Sequence, residues 1–60
     1  MLVIDNFRIQ QKTRTKENSL KQNYYIVEDT DTNQVIHMES DVFWNWQRRN
    51  GLRLTPRNQF

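Results

Sequence analysis

The sequence predicts a small α+β domain: a three-stranded antiparallel sheet (β-β-β) followed by one short helix, with room for a fourth edge strand after the helix. Three observations carry this. Polar and apolar residues alternate near the N-terminus, two β-rich runs flank a short polar connector in the middle, and helix start and stop signals agree between Ser40 and Gly51.

From Asp5 to Gln10 the alternation puts Phe7 and Ile9 on one side and Asn6, Arg8 and Gln10 on the other. This is the period of a half-buried strand, so strand one is expected over about residues 3–14. Its distal half, from Gln10 to Arg14, has no apolar residue and reads as a solvated extension or the start of a loop. Residues 15–22, with Leu20 as their single apolar member, read as the polar connection. Strand two is the run Asn23-Tyr24-Tyr25-Ile26-Val27-Glu28, rich in side chains that fit a pleated surface.

Residues 29–33 are Asp-Thr-Asp-Thr-Asn, and a third strand, Gln34 to Met38, follows them. A hairpin is expected here, with a type I turn at Asp31 and Thr32 closing through a bulge at Asn33, because asparagine tolerates the left-handed conformation. The helix then opens on Ser40 as N-cap, carries Asp41 in its first turn and Arg48 and Arg49 in its last, and stops at Gly51. Stepping about 100° per residue groups Val42, Phe43 and Trp46 on the core arc and puts Trp44 and Arg48 on the opposite side. Leu52-Arg53-Leu54 alternates and can add the edge strand, with Pro56 ending it. Residues 1–55 thus form one domain and 56–60 a tail, from which Phe60 is able to fold back over apolar surface.

The order of these elements is similar to that of small DNA-binding modules such as the AP2-type domain and the arm-binding domain of tyrosine recombinases, which lay a sheet in the major groove. The resemblance covers the element order alone. No functional residues transfer with it.

Composition narrows the function. With 60 residues the chain makes one marginal core, and with no cysteine it has no disulfide to reinforce it. The lack of cysteine fits an intracellular, cytoplasmic protein. Its longest apolar runs, residues 1–4 and 24–27, fall far short of the roughly 20 residues a membrane helix needs. A single histidine, His37, cannot hold a metal by itself, and the acidic cluster Glu28, Asp29 and Asp31 lacks the glycine and distal glutamate of a calcium loop. No glycine-rich phosphate cradle is present, since Gly51 is the one glycine. These absences point to a binding protein, not an enzyme, without cofactor or metal.

Charge is segregated along the chain. The first third is mainly basic, every charged residue from Glu28 to Asp41 is acidic, and every one from Arg48 onward is arginine. A non-enzymatic nucleic-acid-binding protein is therefore expected, contacting DNA or RNA through Arg8, Lys12, Arg14, Lys16, Arg48, Arg49 and Arg53. This requires the fold to gather those cations and turn the acidic hairpin elsewhere. The alternative is a regulator or inhibitor that docks on a larger host protein through Trp44 and Arg48, an interface-type pair one helical turn apart. Such a short, cysteine-free chain suits a bacteriophage or mobile-element accessory protein. A homodimer that pairs edge strands or buries Trp44 is compatible with both.

Overall fold

The computed structural model describes residues 1–15, 17, 19–55, 57 and 60. Four strands and one helix follow in chain order: β1 (Leu2–Ile4), β2 (Phe7–Thr15), β3 (Lys21–Asp29), β4 (Gln34–Glu39) and α1 (Ser40–Arg49). The strands form one antiparallel sheet in the order β1-β2-β3-β4. The α+β class is as the sequence predicts. Four strands precede the helix, however, and none follows it among the described residues.

The extra strand arises within the segment expected to be strand one. Asp5 adopts a left-handed backbone (φ 52°), and with Asn6 it forms a two-residue turn that folds Leu2–Ile4 back onto Phe7–Ile9. Aspartate and asparagine tolerate that conformation because their short polar side chains bond locally. The connector is also shorter than expected. β2 runs to Thr15 and β3 begins at Lys21, so only residues 16–20 link them.

The second hairpin closes through a left-handed Asn33 as expected, but by a four-residue turn between the paired Asp29 and Gln34, not by a type I turn with a bulge. Asn33 is left-handed (φ 60°), and its amide donates to the Asp29 carbonyl at 2.7 Å. Its tip is tied to the first turn: the Thr30 amide and hydroxyl both donate to the Asn6 carbonyl, at 2.8 and 3.0 Å. The Asn6 side-chain amide donates in return to the Asp29 carboxylate at 2.9 Å. Two turns distant in sequence thereby brace one end of the sheet.

One face of the sheet carries the core. Ile9 and Phe43 are fully buried and Val27 nearly so, with Tyr25, Met38, Leu52 and Leu54 around them. Phe43 stacks on Tyr25 with ring centroids 3.9 Å apart, and Trp46 meets Phe7 edge-on at 5.1 Å. A helix that starts at the end of β4 thus crosses toward the start of β2.

The phase of that helix corrects the sequence reading. Phe43 and Gln47 are its buried residues, while Val42 is 48% exposed. With about 100° per residue, Trp44 and Trp46 then flank the Phe43–Gln47 line by about 80° on either side. Both tryptophans lie half-buried, and Trp44 packs against Tyr25, Phe43 and Phe60 at 5.9, 5.0 and 6.4 Å. Burial pushes the Tyr25 phenol above its ordinary pKa, against the opposing pull of hydrogen bonds with Trp44 and Ser40.

Gln47 explains why the chain after the helix is not a strand. Its buried amide donates to the Trp44 carbonyl at 3.2 Å and accepts from the Leu54 amide at 2.9 Å. Leu52 and Leu54 enter the core from irregular backbone, and Arg53 between them is left-handed (φ 55°). One side chain thus supplies the partner a neighbouring strand would have supplied. Gly51, at φ 69°, ends the helix: its amide bonds to the Arg48 carbonyl and that of Leu52 to the Gln47 carbonyl. At the other end the N-cap is Glu39, not Ser40, and it makes no side-chain cap bond. Pro56, Asn58 and Gln59 of the expected tail lie outside the described residues, while Phe60 packs on Tyr25 and Phe43 at 5.4 and 6.0 Å.

Candidate nucleic-acid interface

Alternation puts every second residue of β2 away from the helix. Ile9 is buried beneath it, so Arg8, Gln10, Lys12 and Arg14 form a row on the open face. The register extends that face across the sheet: Arg8 lies beside Glu28 and then Val35, Gln10 beside Ile26 and His37, Lys12 beside Tyr24 and Glu39, and Arg14 beside Gln22. Three of the cations expected at the site therefore share one surface.

The surface is not uniformly basic. Glu28 stands opposite Arg8, and the Arg14 guanidinium lies 3.5 Å from the Glu39 carboxylate, with both side chains about half exposed. The same guanidinium sits over the Tyr24 ring, 5.3 Å from its centroid, and the Tyr24 and His37 rings are 6.2 Å apart at 31°. Arg14, Tyr24, His37, Met38 and Glu39 line an open depression of about 160 Å³. An exposed ion pair of this kind is worth about 0–1 kcal/mol, so Arg14 is oriented but readily redirected.

Past this point the sheet narrows. β1 reaches no further than the Leu2–Ile9 pair, and β4 ends where Glu39 meets Tyr24. From Thr13–Asn23 through Arg14–Gln22 to Thr15–Lys21, β2 and β3 continue as a two-stranded ribbon with no third strand beside them among the described residues. The Thr13 hydroxyl and the Asn23 side chain are hydrogen-bonded across it at 3.0 Å. Arg14 on the open face and Lys21 on the other are its cations, Lys12 stands at its base beside Tyr24, and no strand residue of the ribbon is acidic. Lys21 falls within residues 15–22, which the sequence predicts as a polar connection, but it opens β3. The signal that could have found it is the match in polar character between residues 10–15 and 21–24, two strands lacking a core partner.

The remaining predicted residues are elsewhere. Arg48 and Arg49 end the helix and Arg53 follows it, so these three belong to the helix layer on the other face of the sheet from Arg8, Lys12 and Arg14. The expected cations are thus divided between two surfaces, because α1 lies across the sheet face that Arg8, Lys12 and Arg14 do not use. Lys16 lies outside the described residues. Trp44 spends its ring on Tyr25, Phe43 and Phe60, so the pair with exposed Arg48 does not present a free indole.

The acidic residues Asp5, Asp29 and Asp31 lie at the braced end, opposite the ribbon. Hydrogen bonds from Asn6 and from the Asp31 amide hold the Asp29 carboxyl below its ordinary pKa. Among the described residues no group of His, Cys, Asp and Glu is placed to hold a metal, and no helix is long and apolar enough to cross a membrane. Comparison with known proteins finds no matching family model, no matching curated protein and no matching solved structure.

Proposed function

We propose that this chain is a non-enzymatic DNA-binding protein that places the β2–β3 ribbon in the major groove of duplex DNA. The observation that carries the reading is the shape and charge of the ribbon: two strands with no third strand beside them among the described residues, bearing Arg14 and Lys21 and no carboxylate, with Lys12 at their base. Paired strands lie about 4.8 Å apart, and with side chains such a ribbon fits a groove about 12 Å wide. The deep, narrow major groove of duplex RNA does not admit it.

The ribbon also has the side chains for the task. Lysine and arginine release counterions from phosphates, while Arg14, Gln11, Gln22 and Asn23 are of the types that bond base edges. Arg14 leaves Glu39 for DNA at small cost because that pair is exposed. Arg8 and Gln10 continue the row toward the centre of the sheet, where Glu28 offsets Arg8 and limits the footprint. Arg48, Arg49 and Arg53 are left out of this interface.

The test is fluorescence anisotropy of a labelled mixed-sequence 16-base-pair duplex, titrated over a salt series. Binding should weaken steeply with salt, and replacing Lys12, Arg14 and Lys21 by serine should lower the slope by about 1 per cation. Equal binding by the triple variant, or none by the wild type at low salt, contradicts the proposal.

A further inference from the structure

The two edges of the sheet are unlike. β1 has three residues, whereas β4 has six and pairs one-to-one with β3 from Asp29–Gln34 to Tyr24–Glu39 without a bulge. β4 contains no proline, lysine or arginine, the usual guards of an open strand edge, and Glu39 at its end is its one fully charged residue. Val35 on the open face and Ile36 on the helix face are 56% and 45% exposed. The diagonal course of α1 leaves Ile36 uncovered, since the helix starts at the far end of the strand. An edge so built offers backbone donors, acceptors and apolar side chains on both faces to another strand.

We infer that β4 pairs antiparallel with β4 of a second copy, joining two sheets into one whose two ribbons enter successive major grooves of a single duplex. The strand suits itself as a partner. With the two-fold axis at Ile36, that residue meets its own counterpart in an apolar contact on the helix face, and Val35 lies beside the His37 ring on the open face. Glu39 falls beyond the last paired position, and no like charges oppose each other.

The two-fold axis stands perpendicular to the sheet and therefore keeps both basic rows on one face and points the ribbons in opposite directions. Each ribbon is centred near Asn23, four residues along β3 from the partner of Ile36, and the two are separated by four strand spacings. At about 3.3 Å per residue and about 4.8 Å per strand, their centres lie roughly 30 Å apart. Successive major grooves on one side of DNA are about 34 Å apart. The site implied is an inverted repeat with half-sites about one helical turn apart. The spacing rests on the duplex-DNA reading; the strand pairing does not.

Sedimentation velocity of the full chain without DNA, from about 5 to 500 μM, tests the pairing. Wild type should shift from monomer to dimer, and V35K should stay monomeric with an unchanged circular dichroism spectrum. I36K serves as a second variant should V35K lose its fold. A wild type that is monomeric throughout overturns the inference, as does a dimer that survives both substitutions in folded protein. The anisotropy assay with 12- and 24-base-pair duplexes then tests the spacing. Wild type should bind the longer one cooperatively, at least about tenfold tighter than I36K, whose substitution lies on the helix face away from Arg8 and Lys12, with near-equal affinity of the two proteins for the shorter one. Non-cooperative binding of wild type to the longer duplex overturns the two-groove arrangement. A V35K-sensitive dimer that binds neither duplex supports the strand pairing while refuting the DNA reading itself.

Discussion

The two ends of the sheet are built from opposite materials. At the start of β2, turns 5–6 and 30–33 are hydrogen-bonded together, Phe7 meets Trp46, and the charges are aspartates. At the far end of β2, the ribbon is exposed, has no core side chain beyond Gln11, and is cationic. A chain of 60 residues cannot bury surface everywhere. Concentrating the packing at one end leaves the other free to carry side chains chosen for a partner. Residues of the packed end should therefore control stability, and residues of the ribbon should control binding.

Substitutions sharpen that contrast. The largest effect is expected from Phe43→Ala, which removes a fully buried ring stacked on Tyr25 and should cost about 3–5 kcal/mol, enough to unfold a domain of this size in a thermal melt. Next is Gln47→Ala. It leaves the buried Leu54 amide unpaired and should cost about 1–3 kcal/mol in urea denaturation, releasing the C-terminal segment. In the ribbon, Lys12→Ser with Arg14→Ser should leave the melting temperature within a degree or so while weakening duplex binding. Loss of stability from the ribbon pair would break the contrast.

Two smaller effects probe its charges. Glu39→Gln frees Arg14 from its carboxylate and removes a negative charge from the rim, so duplex affinity should rise about two- to fivefold with stability almost unchanged. At the braced end, Asp29 has a lowered pKa when folded, so its contribution is present above the unfolded value near 3.9 and is lost as pH falls through the folded one. Asp29→Asn should accordingly flatten the acid limb of a stability profile below about pH 4.

The sequence showed most clearly what depends on local chemistry. Asn33 and Gly51 have left-handed backbones where their residue types suggested, and Tyr24–Glu28 and Gln34–Met38 are strands. The turn at Asp5 is hidden because the alternation from Asp5 to Gln10 reads as one strand, whereas in the fold Asp5 and Asn6 turn the chain and Ile4 pairs with Phe7 across the hairpin. The helix phase was missed because Gln47 is polar. An apolar-face count puts it at the margin of the Val42, Phe43 and Trp46 arc, whereas the fold needs its amide to satisfy both the Trp44 carbonyl and the Leu54 amide inside. The row Arg8, Lys12 and Arg14 follows from alternation alone, but its separation from Arg48, Arg49 and Arg53 depends on which face the helix covers. No local pattern encodes that choice.

The most direct test is a map of amide chemical shifts in the ¹⁵N-labelled protein as a 16-base-pair duplex is added. Shifts should concentrate in residues 10–15 and 21–25 and spare Phe43, Gln47 and the 30–33 turn. Changes centred on Trp44 and Arg48–Arg53, with a silent ribbon, would contradict the account.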